Sequence, residues 1–191
     1  MLDKIRLSCS CGMVEATLEV HTKDSFHVEC VCCDCQKFAT HIKADNVLNS
    51  YGGTDIFQTY PSYLTFTKGE DHISCVQLSA KGLLRHYASC CSTPVGNVMN
   101  NSKIPFVGIP VSFMKFDSKE QKNTILGPIV LKAFGQYATE AKPKDVHQKF
   151  PLSFLPKIIF FMLKGMVLRK NIPSPYFKGG KAIAVPEIPP R

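Results

Sequence analysis

The chain of 191 residues is 45% hydrophobic and 20% charged, enough to bury a real core as one domain with an appendage. It carries no internal repeat and no low-complexity tract, which excludes a repeat array or a compositionally biased segment. Its net charge of +8 is unevenly held: residues 1–100 carry 8 Lys and Arg against 10 Asp and Glu, whereas residues 101–191 carry 15 against 5. The basic excess therefore belongs to the second half, where it implies either an anionic partner, such as nucleic acid or an anionic surface, or a solvated lysine face.

In chain order, Ile5 to Glu19 reads as two short strands around a Cys-Gly turn, which places Cys9-Ser10-Cys11 on a hairpin-like corner. Phe26 to Cys30 is a strand leading into a second cysteine knot, Cys30-Val31-Cys32-Cys33-Asp34-Cys35. Gln36 to Leu48 follows as a short helix with Phe38, Ala39, Ile42 and Val47 at roughly helical spacing, and Gly52-Gly53 marks a turn. Ile56 to Tyr60, Leu64 to Thr67, Ile73 to Leu78 and Leu83 to Ala88 are β-branched or aromatic runs separated by turn residues, the pattern of a compact antiparallel sheet. The third knot, Cys90-Cys91, ends the last of these strands. Val95 to Met99 and Phe106 to Ile109 continue the β character between prolines.

Beyond residue 110 the texture changes. Ile125 to Tyr137 is compatible with strand or helix, and Thr139 to Phe150 reads as helical with an interruption at Pro143. Phe154 to Leu168 is strongly apolar. A spanning helix needs about 20 apolar residues, and Pro156, Lys157 and Lys164 interrupt this run, so no transmembrane segment is expected. Lys157 and Lys164 fall on one narrow stripe of the helix, which is then either buried or interfacial; burial as a lid over the sheet is the expected arrangement. Pro173 to Arg191 reads as an extended surface tail. The organisation expected is a cysteine-rich β domain over residues 1–115 and a basic, partly helical extension over residues 116–191 packed on it.

Eight of the nine cysteines lie in the three knots, and their spacing favours metal over disulfides. A disulfide requires Cα atoms about 4.4 to 6.8 Å apart with converging Cβ vectors, which adjacent cysteines supply poorly. A C-x-C pair in a strand instead puts both sulfurs on one face, and C-x-x-C wraps a turn around one ion. The first residues lack the apolar core of a secretory signal, so a reducing, cytoplasmic setting is expected. Counting allows two tetrahedral zinc ions. Cys30, Cys32 and Cys35 grip one with three sulfurs while Cys33 points away; Cys9 and Cys11 then look to Cys90 and Cys91, the one knot left. Adjacent strand residues face opposite sides, so Cys90 and Cys91 share an ion only if the chain turns there; otherwise the first site keeps three protein ligands or Cys90 faces the other zinc.

The order Cys9-Ser10-Cys11-Gly12, Cys30-x-Cys32-x-x-Cys35 and Arg85-His86-Tyr87 running into Cys91-Ser92-Thr93-Pro94 resembles the glutathione-dependent formaldehyde-activating enzyme and centromere protein V family, over about residues 5 to 115. The resemblance implies a mainly β, tent-like antiparallel zinc fold with a closed structural zinc on the first and third knots. It also implies a second zinc on the C-x-C-x-x-C, associated with carbon–sulfur lyase chemistry that joins glutathione to formaldehyde. Two positions depart from the family's pattern. Its third knot is usually C-x-x-C-G, whose first cysteine falls on Ala88 so that Cys90 substitutes from a shifted position, and the histidine common inside the second knot is Val31. By residue type, His41 and His86 are proton carriers or plain structural histidines. Arg85 is a holder of a substrate carboxylate or a structural ion-pair partner, Gly53 an approach point for a small anion or a turn, and Cys75 a buried small hydrophobe. The competing function is a non-catalytic zinc module that binds an anionic partner or another protein through its basic half.

Overall fold

Short strands, some alternating in burial and some buried on both faces, build the body of the molecule, whose computed structural model describes residues 3–189. In chain order the first elements are β1 (Asp3–Ser8), β2 (Glu15–Val20), β3 (Phe26–Cys30), α1 (Cys33–His41), β4 (Thr54–Thr59) and β5 (Leu64–Lys68). Then come β6 (Ile73–Val76), β7 (Leu84–Ala88), β8 (Thr93–Val98), β9 (Val107–Pro110) and α2 (Lys119–Leu126). The chain closes with β10 (Ile129–Ala133), α3 (Leu155–Val167) and the two-residue strands β11 (Phe177–Lys178), β12 (Lys181–Ala182) and β13 (Pro186–Glu187). The fold is mainly β, as its sequence pattern implies.

Two sheets share one core. The smaller has the order β1-β2-β5 and the larger β10-β3-β4-β9-β8-β7-β6-β13. Ala16, Leu18 and Val20 alternate inward along β2 and meet Phe57, Leu84, Val95 and Ile109 of the larger sheet in a single apolar cluster. Pairing is antiparallel through the middle of the larger sheet, but β10 lies parallel to β3 and β13 parallel to β6. Both outermost strands therefore come from residues beyond 115, so the second half of the chain completes the sheet as well as packing on it.

Three local expectations are corrected. Helix α1 starts at Cys33 rather than Gln36 because Cys32 adopts the extended backbone of an N-cap. It ends at His41, where Lys43 takes a φ of 57°, leaving only a short 3-10 turn at Asp45–Val47. Residues 139–150 hold no helix: the His147 N–H donates to the Lys132 carbonyl and its own carbonyl accepts from Gly135, so this backbone spends its hydrogen bonds alongside β10. Helix α2 has a readable start instead, since the Ser118 hydroxyl accepts from the Gln121 N–H at 3.0 Å in a Ser-x-x-Gln cap.

The expected burial of the apolar helix holds for one stripe only. In α3, Phe161 and Gly165 are buried while Leu155, Ile159, Phe160, Leu163, Met166 and Val167 are exposed. The buried stripe is tightly held. Phe161 stacks on Tyr60 at 4.3 Å between ring centroids, the Tyr60 hydroxyl donates to the Phe161 carbonyl at 2.7 Å, and Lys164 forms an ion pair with Asp24. The C-terminal segment runs over the surface but is pinned by Tyr176, fully buried and donating to the Val95 carbonyl at 3.0 Å. No helix among the described residues is long and apolar enough to cross a membrane.

Candidate metal centres

The first group forms where two tight turns meet. After β1, Gly12 turns with a φ of 75°, its N–H donating to the Cys9 carbonyl while the Val14 N–H donates to the Cys9 Sγ at 3.2 Å. After β7 the chain turns at once: the Cys91 N–H bonds the Ala88 carbonyl and Ser92 takes a φ of 57° before β8 begins at Thr93. That turn brings Cys90 and Cys91 to one side. The Sγ atoms of Cys9, Cys11, Cys90 and Cys91 all lie within 4.8 Å of one another, with Cys9 to Cys11 at 3.6 Å, Cys9 to Cys90 at 4.0 Å, Cys11 to Cys90 at 3.3 Å and Cys90 to Cys91 at 3.8 Å. Tetrahedral zinc with Zn–S bonds of about 2.3 Å separates its sulfurs by about 3.8 Å, so the group fits a closed four-sulfur site. Burial raises the Cys91 thiol pKa, yet hydrogen bonds with Ser10 and Thr93 outweigh it and hold the thiol down at about 5. A thiolate at neutral pH is what a metal requires.

The second group sits where β3 runs into α1. Cys30 ends a strand fixed on both sides, by Ala133 of β10 and Thr54 of β4. Val31 is fully buried against Tyr51 and Val146. Cys32 is the N-cap of α1, and Cys35 lies in its first turn, so all three sulfurs gather at the positive end of a helix. The Sγ atoms of Cys30, Cys32 and Cys35 lie within 4.8 Å of one another. Cys33 is outside this cluster, its Sγ facing its neighbour Asp34 at 3.8 Å. Hydrogen bonds from the Cys30 and Cys35 sulfurs pull the Cys32 thiol well below the ordinary thiol range, and Cys30 is pushed up in return. Burial works against the charge on Arg85, but the Cys35 and Cys32 sulfurs keep it protonated.

Arg85 is turned on this triad rather than on solvent. It is buried, and its Nη1 donates to the Cys35 Sγ at 3.7 Å. Along β7 the next residue, His86, faces the other side of the sheet against Tyr176 at 4.8 Å, sealed away from both sulfur groups. His41 pairs with Glu187 at 3.4 Å. Gly53 serves a turn: its N–H donates to the Asn49 Oδ1 at 2.7 Å and its carbonyl accepts from the Asn49 N–H. The Gly52 N–H bonds the Asn49 carbonyl, so neither glycine amide is free for an anion. Cys75 is buried in β6, with its thiol pushed up to about 12 by burial.

Beside the triad lies a feature the spacing of cysteines does not announce. A cavity of about 10 Å³, the size of a single water, is lined by Cys35, Thr54, Arg85 and Asn97 under Phe38 and Pro94. The Thr54 Oγ1 and the Asn97 Oδ1 are buried without a hydrogen-bond partner, and buried polar atoms ordinarily have one. Val47 and Thr54 line both this cavity and an open cleft of about 500 Å³ that carries Glu29, Asn49, Gly53, Asp55 and Lys122. The donor chemistry of both groups, sulfur only, fits a soft or borderline metal cation. Three sulfurs with unsatisfied polar atoms alongside leave a coordination position unfilled by protein, whereas four sulfurs do not.

The sequence model of a family of unknown function, DUF6151, matches residues 1–188, and the chain belongs to that family. Among solved structures, the crystal structure of a Rhodobacter sphaeroides protein is similar at 13% identity, with 65% of this chain and 97% of that chain covered and a TM-score of 0.45. No curated protein matches the chain.

Proposed function

We propose that this member of the DUF6151 family is a two-zinc protein in which the four-cysteine group is a structural staple and the three-cysteine group acts on carbon–sulfur bonds of thiol–aldehyde adducts, of the kind glutathione forms with formaldehyde. The difference in ligand number between the two groups carries the reading. Four sulfurs close a site, and three leave one position without a protein ligand. A zinc ion at the triad supplies Lewis acidity toward an aldehyde oxygen or lowers the pKa of a thiol. The likeness of the three-knot signature to the formaldehyde-activating family supplies the substrate class.

The chain's own residues fit that work. The Arg85 guanidinium offsets the negative charge that three thiolates gather in a buried place. Thr54 and Asn97 offer a hydroxyl and an amide oxygen to a group no larger than a hydroxyl, and Phe38 and Pro94 keep bulk water out. A tripeptide thiol does not fit the cavity. Its bulk belongs in the open cleft that Thr54 also lines, where Lys122 suits a carboxylate and Glu29 or Asp55 an ammonium.

Metal analysis of the purified chain is expected to give two zinc ions, with Cys35→Ser and Cys91→Ser each losing a different one. Zinc-free protein would sink the metal assignment. Incubation with formaldehyde and glutathione is expected to accelerate adduct formation in the wild type and not in Cys35→Ser; a rate no higher than the spontaneous one would leave only the non-catalytic zinc module.

A further inference from the structure

We propose that the solvent face of α3 docks on the surface of an anionic lipid bilayer. With 3.6 residues per turn, Leu155, Ile159, Phe160, Leu163, Met166 and Val167 fall on one arc of the helix, and every one is exposed. Phe160 is 68% and Val167 81% exposed. No charged side chain lies on that arc. The opposite stripe, Phe161 and Gly165, is fixed to the body of the protein, so the helix lies flat with its apolar side outward. Ordinary surface helices do the reverse.

Charge decides what covers this face. From Val146 to Pro186 the chain carries seven Lys and Arg and no Asp or Glu. Lys157 flanks the apolar arc, its Nζ 5.3 Å from the Phe26 and Phe154 rings, and Lys170 beyond the helix end sits 4.7 Å over Tyr63. Among the described residues neither forms an ion pair, nor does the exposed Arg169; Lys164 and Lys178, by contrast, are paired with Asp24 and Glu70. An apolar ridge with cations at its margin matches a bilayer interface, which offers acyl chains beneath anionic headgroups. At 13 residues the helix is too short to cross and of the right kind to lie in the plane.

The chain has no tryptophan, so Phe160→Trp introduces a single fluorophore at an exposed position. The full chain is expected to sediment with mixed phosphatidylserine–phosphatidylcholine vesicles, less with phosphatidylcholine alone, and less as salt rises. The Trp emission should shift to the blue on adding the mixed vesicles. Phe160→Glu with Leu163→Glu should weaken sedimentation roughly tenfold or more while the melting temperature stays put. Absence of both sedimentation and blue shift overturns the proposal. So does an emission that shifts with protein concentration in the absence of lipid, which would assign the face to a second copy of the chain.

Discussion

His86 lies beneath Tyr176 with no exposed surface, and burial pushes its imidazole down to about 4. In the unfolded chain it titrates near 6.5. Between those values the unfolded chain takes up a proton that the folded chain refuses, so stability falls as pH drops from about 6.5 toward 4 and is whole above that window. The full effect is about 3 kcal/mol. Denaturant midpoints of the purified protein at pH 7 and pH 5 should show it, and His86→Leu should flatten the difference by about one proton. At this scale the sulfur triad is legible in the sequence, because a C-x-C at a strand end running into a C-x-x-C turn brings three thiols together. The pairing of Cys90 with Cys91 is not, because it depends on Ser92 adopting a left-handed backbone that serine seldom takes and no sequence rule predicts. Thr54 and Asn97 are invisible for another reason: they reach the triad only through the pairing of strands far apart in the chain.

Among the elements, α3 depends on one glycine. A Cβ on Gly165 would come within 2.6 Å of the Tyr60 ring and 2.7 Å of Pro105, distances no side chain keeps. Gly165→Ala gains about 1 kcal/mol of helix propensity and loses about 1–3 kcal/mol to overpacking against two rigid rings. The loss should prevail. Limited proteolysis between residues 152 and 172 is expected to quicken in this variant, whereas Phe160→Ala on the exposed face should leave stability within about 0.5 kcal/mol; equal behaviour of the two would mean that the helix is not seated through Gly165. The extent of α3 can be read from its apolar run, but which face it buries cannot, since that is set by Tyr60 and Pro105 far upstream. Residues 139–150 mislead in the same way: a helical pattern yields to hydrogen bonds that β10 offers.

For the molecule as a whole, the mainly β character follows from regularly punctuated strands, while the parallel pairing of β10 and β13 at the sheet's two ends does not, because two- to five-residue strands carry too little pattern to name a distant partner. Their position makes a division at residue 115 costly. A chain cut there would leave β3 and β6 with unpaired backbone along the sheet's ends and would strip Leu131, Phe161 and Tyr176 from the core. Residues 1–115 alone are expected to aggregate or remain loosely packed on purification; a soluble fragment with a sharp melting transition would show that they fold without help. The two sulfur groups also stand differently toward their surroundings. Cys11 and Cys90 are exposed, while Cys35 is buried. On the two-metal reading proposed above, a chelator or oxidant in solution meets the first group more readily than the second, where Cys30 and Cys32 are half-buried around Cys35. The staple that joins the amino-terminal hairpin to the β7–β8 turn is thus the part of the molecule that registers metal scarcity or oxidation first, before the triad is disturbed.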